Sequence, residues 1–260
     1  MYEWIDSLRF LICLLFLSVA SIHDIRTREV PNSIWLFFAP IGSILTLISL
    51  ALNNWSILLI RLCVMSIAII AGLSFTLFYL GLFGGADAKA LICLAFSMPT
   101  YPNMKSLEPL LKPYSQAPLP PLSAFNNAVL MASLLVFTII IKNLVDLIRN
   151  DGRIFDGLER EKTATKILAF LTGFRVEAHK LRARKHHYII LEKFSREGDD
   201  IIRSLKVFQR VSDEERSIPE EIDGKVWVTI GLPFLVFITI GFMLAIFVGD
   251  LALLLVDAVI

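Results

Sequence analysis

The sequence predicts an all-α polytopic membrane protein with six transmembrane helices and a small α+β cytosolic domain inserted before the last helix. Three observations lead to this fold class. Of the 260 residues, 56% are hydrophobic, and the mean hydropathy of +0.69 lies well above that of a soluble domain. The apolar residues form long runs, and one hydrophilic stretch, residues 149–225, is long enough to fold as a domain.

The apolar runs give the predicted spans. A helix needs about 20 residues to cross a bilayer, and five runs reach or approach that length: Phe10–Ile22 extended by Trp4–Arg9, Ser33–Leu52, Ile57–Leu80, Ala124–Ile141 and Val226–Gly249. A sixth run, Ala86–Met98, is shorter and ends at Pro99, so we expect it either to tilt little in the bilayer or to begin inside protein rather than in lipid. The predicted domains are a membrane domain at 1–148, the cytosolic domain at 149–225, and the last transmembrane helix at 226–260.

Basic residues set the expected orientation. Most of the 25 Lys and Arg residues lie in 149–225, and the connection 25–33 adds Arg26 and Arg28, whereas the other connections hold few. The positive-inside rule therefore places 25–33 and 149–225 on the cytoplasmic side of the cell membrane. Six spans then leave both termini outside.

Local patterns predict the structure of the hydrophilic parts. Leu158–Leu171 has helical apolar spacing that Gly173 ends, and His187–Leu191 is typical of a strand. The connection 99–123 holds most of the chain's 11 prolines, which predicts an extended, non-helical segment.

Composition excludes several classes of function. A formal net charge of +1 leaves no electrostatic footprint for nucleic acid. Cys13, Cys63 and Cys93 lie in apolar runs without close spacing, which excludes a disulfide framework and a zinc knuckle, and we expect them to be buried. Adjacent His186 and His187 on a strand would point to opposite faces, so no metal site is expected there.

Ionisable residues in or beside spans are informative, because burying one costs several kcal/mol unless it is paired or functional. Asp250 and Asp257 fall at the outer C-terminal end, where we expect them to face water. Lys142 and Asp146 are four residues apart and can pair on one helical face. Two aspartates near the inner face need another explanation.

Asp24 closes the first span and Asp87 opens the short fourth span, so two carboxyl groups from different helices reach one membrane depth. Each alone could be a helix cap. If the two lie close enough to share a proton, they form a catalytic dyad in which one carboxyl acts as base and the other as acid. Such a pair can hydrolyse peptide bonds.

The neighbouring residues suit a site of this kind. Gly84 and Gly85 permit positive φ and would let a substrate backbone approach Asp87. Lys89 either steadies the local negative charge or extends to the membrane interface. Pro31 and Asn32 form a turn that ends the first helix and begins the second.

The two motifs resemble those of the type IV prepilin and preflagellin (prearchaellin) peptidases, membrane aspartyl proteases of the GxGD group. The likeness rests on Asp24 followed by Val30-Pro31-Asn32, and on Gly84-Gly85-Ala86-Asp87-Ala88-Lys89. The chain departs from G-x-G-D at its third position, which is Ala86. It lacks the CxxC-bearing insert of bacterial prepilin peptidases and carries its soluble region before the last span, which is similar to the archaeal preflagellin peptidases.

This resemblance implies an aspartic-type endopeptidase that works without a metal or organic cofactor. It implies Asp24 and Asp87 as the catalytic pair, and an archaellin precursor as the substrate. The short basic leader of that precursor would be removed on the cytoplasmic side, next to a glycine and ahead of the hydrophobic segment. Glu29 could contact lysines of the leader, although a solvated surface charge is the alternative. The expected partners are this precursor and the lipid bilayer; the sequence does not predict an oligomeric state.

Other functions stay open at this point. A related peptidase of archaeal pilins, or a presenilin-like intramembrane protease, would use the same chemistry. A proton-coupled carrier also places carboxylates in a membrane, but here both aspartates lie at the interface and no duplicated half with broken helices is visible. A non-catalytic membrane scaffold would use both aspartates as helix caps.

Overall fold

The computed structural model describes residues 3–103, 119–183, 188–197, 200–206, 219, 222, 224–229 and 233–259. The chain forms two compact units. The first comprises Met1–Ala132 and Pro233–Ile260, and the second comprises Ser133–Leu232.

The described residues are mostly helical, with a small strand-containing region, as the sequence predicts. In chain order the elements are α1 (Glu3–Thr27), α2 (Asn32–Leu52), α3 (Ile57–Tyr79), α4 (Gly85–Ser97), α5 (Pro120–Arg149), α6 (Thr163–Thr172), β1 (Phe174–Glu177), α7 (Ala178–Ala183), β2 (Ile189–Ile190), β3 (Glu192–Glu197), β4 (Asp200–Leu205), β5 (Lys225–Thr229), α8 (Phe234–Phe247) and α9 (Leu251–Val259).

Four helices, α1, α2, α3 and α5, are long and apolar enough to cross a membrane. The pair α8 and α9 passes the same test together, but it is bent by 62° at the short break between the helices. The described residues therefore contain four candidate spans, or five when the bent pair is one span. At 13 residues α4 is shorter than a bilayer is thick.

The short helix α4 lies within the first unit rather than at its surface. It packs against α1, α2, α3 and α8, and most of its side chains are buried: Ala88, Ala90, Leu91, Cys93, Leu94, Ala95 and Ser97. Because small and apolar residues fill its faces, neighbouring helices can approach closely. Protein surrounds this helix, which is one of the two arrangements that its shortness led us to expect.

The predicted start of the last span at Val226 is wrong. Residues 225–229 form β5, which pairs antiparallel with β1 and β2. Val226, Trp227 and Val228 are buried in the second unit, and β-branched and aromatic residues favour strands. The helix begins only at Phe234, after Pro233 at its N-cap.

Two further expectations, about Asp250 and about the connection 99–123, are corrected. Asp250 does not face water: its side chain is fully buried, and it accepts hydrogen bonds from the Asn126 side chain at 2.8 Å and from the first amides of α9. The bend between α8 and α9 exposes these amides, and Asp250 caps them. The connection 99–123 is helical from Pro120 onward, since proline fits the first turn of a helix; residues 104–118 of it lie outside the described residues.

The second unit combines α6 with two small sheets. One has the strand order β1-β5-β2, and the other is the antiparallel pair of β3 and β4. The predicted helix Leu158–Leu171 begins later, at Thr163, because turns occupy the residues before it, and it ends before Gly173 as expected. The predicted strand His187–Leu191 is found at Ile189–Ile190, and His187 lies outside the described residues. The buried Glu192 carboxylate accepts hydrogen bonds from Nε and Nη2 of Arg203 at 2.7 and 2.9 Å. It also accepts one from the Trp227 backbone N–H at 2.6 Å.

Candidate active site

Asp24 lies in the last turn of α1, where its side chain is half-buried. The helix ends just beyond it, because Arg28 adopts a positive φ of 59° and its N–H returns to the Asp24 carbonyl at 3.2 Å. Thr27 then bonds through its hydroxyl to the Glu29 carbonyl at 2.8 Å, and Pro31 is the N-cap of α2. The turn predicted around Pro31 therefore forms, and Asp24 lies just before it in the chain.

Asp87 lies in the first turn of α4 and is also half-buried. Its Oδ2 accepts a hydrogen bond from the Gly84 backbone N–H at 3.0 Å. A carboxylate is favoured at this end of a helix by the orphan amides and by the helix dipole. The Gly84–Asp87 segment therefore fixes the direction of the Asp87 side chain.

The fold brings these two side chains together. Asp24 and Asp87 lie close enough to interact electrostatically, although they are 63 positions apart in the printed sequence. The start of α8 also lies near Asp24, because the backbone amide of Leu235 interacts with the Asp24 carboxyl. One end of the first unit thus holds a pair of half-exposed carboxyl groups.

A second contact links the two sequence motifs. Lys89 Nζ donates a hydrogen bond to Asn32 Oδ1 at 2.7 Å, and both side chains are exposed. Lys89 follows Asp87 on α4, and Asn32 is the first residue of α2. The start of α2 is therefore tied to the helix that carries Asp87.

The other predicted site residues are Gly84, Gly85 and Glu29. Neither Gly84 nor Gly85 uses the positive φ that glycine permits: Gly84 has φ −71°, in the extended region, and Gly85 begins α4. Gly84 matters for space instead, because a Cβ there would lie 3.0 Å from Asp87 Oδ2, whereas a Cβ on Gly85 would meet only the Phe78 ring at 3.7 Å. Glu29 is exposed in the turn before Pro31.

The chemistry open to this arrangement is that of a carboxyl pair. Two carboxyl groups that come close enough can share a proton, since both cannot readily ionise at short range, and the pair then supplies an acid and a base at once. Partial exposure lets water reach them. Among the described residues, no three His, Cys, Asp or Glu side chains form a group that could hold a metal ion.

The sequence reasoning missed Arg9, which is buried in α1 with 3% of its surface exposed. Its guanidinium bonds to Asp6 Oδ1 at 2.9 Å, to the Ser97 carbonyl at 3.0 Å and to Ser49 Oγ at 3.3 Å. From the sequence, Arg9 only lengthens the first span. The pattern that could have revealed it is the i, i+3 spacing of Asp6 and Arg9 beside an apolar run.

Comparison with known proteins gives matches over most of the chain. Residues 11–141 match the type IV leader peptidase family, and residues 165–251 match the archaeal peptidase A24 C-terminus type II. A preflagellin peptidase of Methanococcus voltae is 31% identical, over 93% of this chain and 95% of the relative. The preflagellin peptidases of Methanococcus maripaludis and Methanocaldococcus jannaschii are 26% and 24% identical, each over 94% of this chain, and over 96% and 94% of those relatives. The chain belongs to the type IV leader peptidase family.

Proposed function

We propose that this peptidase is a membrane-embedded aspartyl endopeptidase that removes the short basic leader from archaellin precursors at the cytoplasmic face. The observation that carries the proposal is that the Asp24 and Asp87 carboxyl groups lie within electrostatic range of each other at one end of the helical unit. The relatives named preflagellin peptidase, which match nearly the full chain, support the substrate.

In the proposed reaction one carboxyl of the pair is protonated and the other is ionised. The ionised group takes a proton from water as the water oxygen attacks the scissile carbonyl carbon, and the protonated group hydrogen-bonds the carbonyl oxygen. Collapse of the tetrahedral intermediate breaks the C–N bond, and a proton passes from the pair to the leaving amine. The Gly84 amide would hold Asp87 in place throughout.

The surrounding residues shape the site in this proposal. The Lys89–Asn32 bond holds the start of α2 beside the carboxyl pair, and Pro31 sets the direction in which α2 leaves it. Gly85 has no side chain at the start of α4, where the substrate backbone would approach Asp87. Glu29, exposed near Asp24, would contact lysines of the leader.

The proposed topology has six spans, with the buried helix α4 as the short one. Residues 149–225 and the turn at 25–33 then face the cytoplasm, and both termini lie outside, as the distribution of basic residues favours.

Single cysteines introduced at Arg28 and Asn54, which lie in turns at opposite ends of α2, test this orientation. We expect a membrane-impermeant maleimide to label intact cells at residue 54 only. Labelling at residue 28 instead would show that the protein has the opposite orientation in the membrane. Because the native cysteines are all buried, background labelling is low.

The test of the function uses Asp24→Asn and Asp87→Asn with purified archaellin precursor. Asp257→Asn is the matched control, since Asp257 is exposed on α9. We expect each of the first two variants to lose cleavage while remaining folded in detergent, and the control to cleave like wild type. Substantial cleavage by either Asp24→Asn or Asp87→Asn would exclude the dyad.

The same assay decides between related substrates and other classes of function. A pilin precursor run beside the archaellin precursor identifies a pilin-processing peptidase by faster cleavage of the pilin. An intramembrane protease of the presenilin type would cut within the hydrophobic segment, which mapping of the product ends reveals. A carrier or a scaffold would leave both precursors intact.

A further inference from the structure

We infer that Arg9 is a positioning residue for the carboxyl pair. Arg9 lies at the end of α1 and α4 opposite the aspartates. There it fixes the position of α4 along α1, and so the orientation of Asp87 relative to Asp24. The inference rests on the proposed function and adds to it a residue that lies outside both motifs.

Arg9 joins the two helices that carry the aspartates. It lies near the start of α1, and its Nε donates to the carbonyl of Ser97, the last residue of α4, at 3.0 Å. At their other ends, α1 and α4 present Asp24 and Asp87 to each other. The helices are thus antiparallel and are tied at one end by Arg9.

The contact is built to resist sliding. The last carbonyls of a helix lack partners within it, and a guanidinium satisfies the Ser97 carbonyl with a charge-assisted bond. Asp6 holds the guanidinium from the side at 2.9 Å, and its second oxygen accepts the Asn103 N–H at 2.9 Å. The Arg9 guanidinium therefore has one preferred position, and α4 must place its Ser97 carbonyl within hydrogen-bond distance of it.

The position of α4 needs such a tie. A helix of spanning length is held at its depth by the bilayer, but α4 has 13 residues and lies inside protein. Its stretch from Asp87 to Ser97 is a rigid rod of about 15 Å at ~1.5 Å per residue. A shift at its Ser97 end therefore reaches Asp87 almost undiminished.

A contact that only stabilised the packing of α4 would not need a buried charge. Thr46 of α2 already donates its hydroxyl to the Phe96 and Ser97 carbonyls at 2.8 and 3.0 Å. A guanidinium in a membrane protein is costly to bury, and such groups face the interior and mark functional sites. Among the described residues Arg9 Nη2 has no hydrogen-bond partner, so burying this group costs free energy of folding. Thr46 provides the matched control, because it contacts the same carbonyl from a helix that carries neither aspartate.

The experiment compares Arg9→Lys, Arg9→Gln, Asp6→Asn and Thr46→Val in the precursor cleavage assay, with Tm measured in the same detergent. We expect kcat to fall about tenfold or more in Arg9→Gln with KM within about twofold, because only the orientation of the dyad changes. Arg9→Lys, which keeps the charge but has one donor nitrogen, and Asp6→Asn should lie between Arg9→Gln and wild type. Thr46→Val should lower Tm and leave kcat within about twofold of wild type.

Two results would overturn the inference. One is wild-type kcat in folded Arg9→Lys and Arg9→Gln. The other is a fall in kcat for Thr46→Val that matches Arg9→Gln at a similar loss of Tm, which would make the role of Arg9 generic. If Arg9→Gln does not fold, Arg9→Lys and Asp6→Asn carry the comparison. Cleavage by Asp24→Asn or Asp87→Asn would refute the proposed function itself, whereas inactive aspartate variants beside unaffected Arg9 variants refute only this inference.

Discussion

Gly84→Ala probes how tightly the first turn of α4 positions the Asp87 carboxyl. Gly84 has φ −71° and ψ 155°, which alanine adopts without strain. The added methyl group would lie 3.0 Å from Asp87 Oδ2, whereas ordinary contact begins at 3.4 Å. The carboxyl must therefore withdraw by a few tenths of an ångström.

That withdrawal weakens one identified hydrogen bond. The Gly84 N–H to Asp87 Oδ2 distance is 3.0 Å, and a few tenths more exceeds the usual range of N–H···O bonds. Hydrogen bonds to charged groups contribute about 1.5–3 kcal/mol, and each ~1.4 kcal/mol in the barrier is a factor of ten in rate. If the bond acts in the transition state, we expect kcat to fall between about tenfold and a hundredfold with little change in KM.

The assay is cleavage of the leader-bearing precursor in detergent or liposomes, with kcat and KM measured separately. Gly72→Ala is the matched control, because a Cβ at Gly72 has no neighbour within 4 Å. Wild-type kcat in folded Gly84→Ala, or an equal fall in Gly72→Ala, would refute the reasoning. A rise in KM alone would assign Gly84 to substrate contact instead.

Three other changes follow from named contacts. Lys89→Ala and Asn32→Ala should each reduce cleavage without abolishing it, and the double variant should be no worse than either single one, since both remove the same 2.7 Å bond; additive losses would contradict this. Gly241→Ala should lower stability by ~1–3 kcal/mol, visible as a lower Tm in detergent, because a Cβ there falls on the backbone of α5. Glu192→Gln should destabilise the second unit by ~3–5 kcal/mol, read by hydrogen exchange in its strands, because Arg203 loses its buried counter-charge. Unchanged protection in that variant would show that the pair is dispensable.

The sequence was most informative where polar residues interrupt apolar runs. Asp24, Asp87 and Lys89 stand out because charged groups are costly in lipid, and the structure places them, together with Asn32 from the predicted turn, at one end of the first unit. The family resemblance drawn from the same residues is confirmed by the comparison over nearly the full chain. Local patterns also predicted the ends of the early helices to within a few residues.

The failures share a physical cause, which is that the deciding partner is remote in sequence. Val226–Thr229 is apolar enough to continue a span, and only pairing with β1 and β2 makes it a strand. Asp250 is buried because Asn126 lies beside it, 124 residues earlier. Arg9 bonds to Ser97, 88 residues away. Periodicity within one segment carries no information about such contacts.

These remote contacts also explain how a helix too short for the bilayer can carry a precisely directed carboxyl. In this proposal the lipid does not set the depth of α4, and polar contacts at its two ends do so: the Lys89–Asn32 bond at one end, and the bond from Arg9 to the Ser97 carbonyl at the other. Between them its faces are small and apolar, which allows close packing but gives little resistance to sliding. If this proposal is right, protein contacts determine the approach of Asp87 to Asp24 more than membrane thickness does. This arrangement lets α4 keep one position along α1 while the longer helices around it adjust to the bilayer.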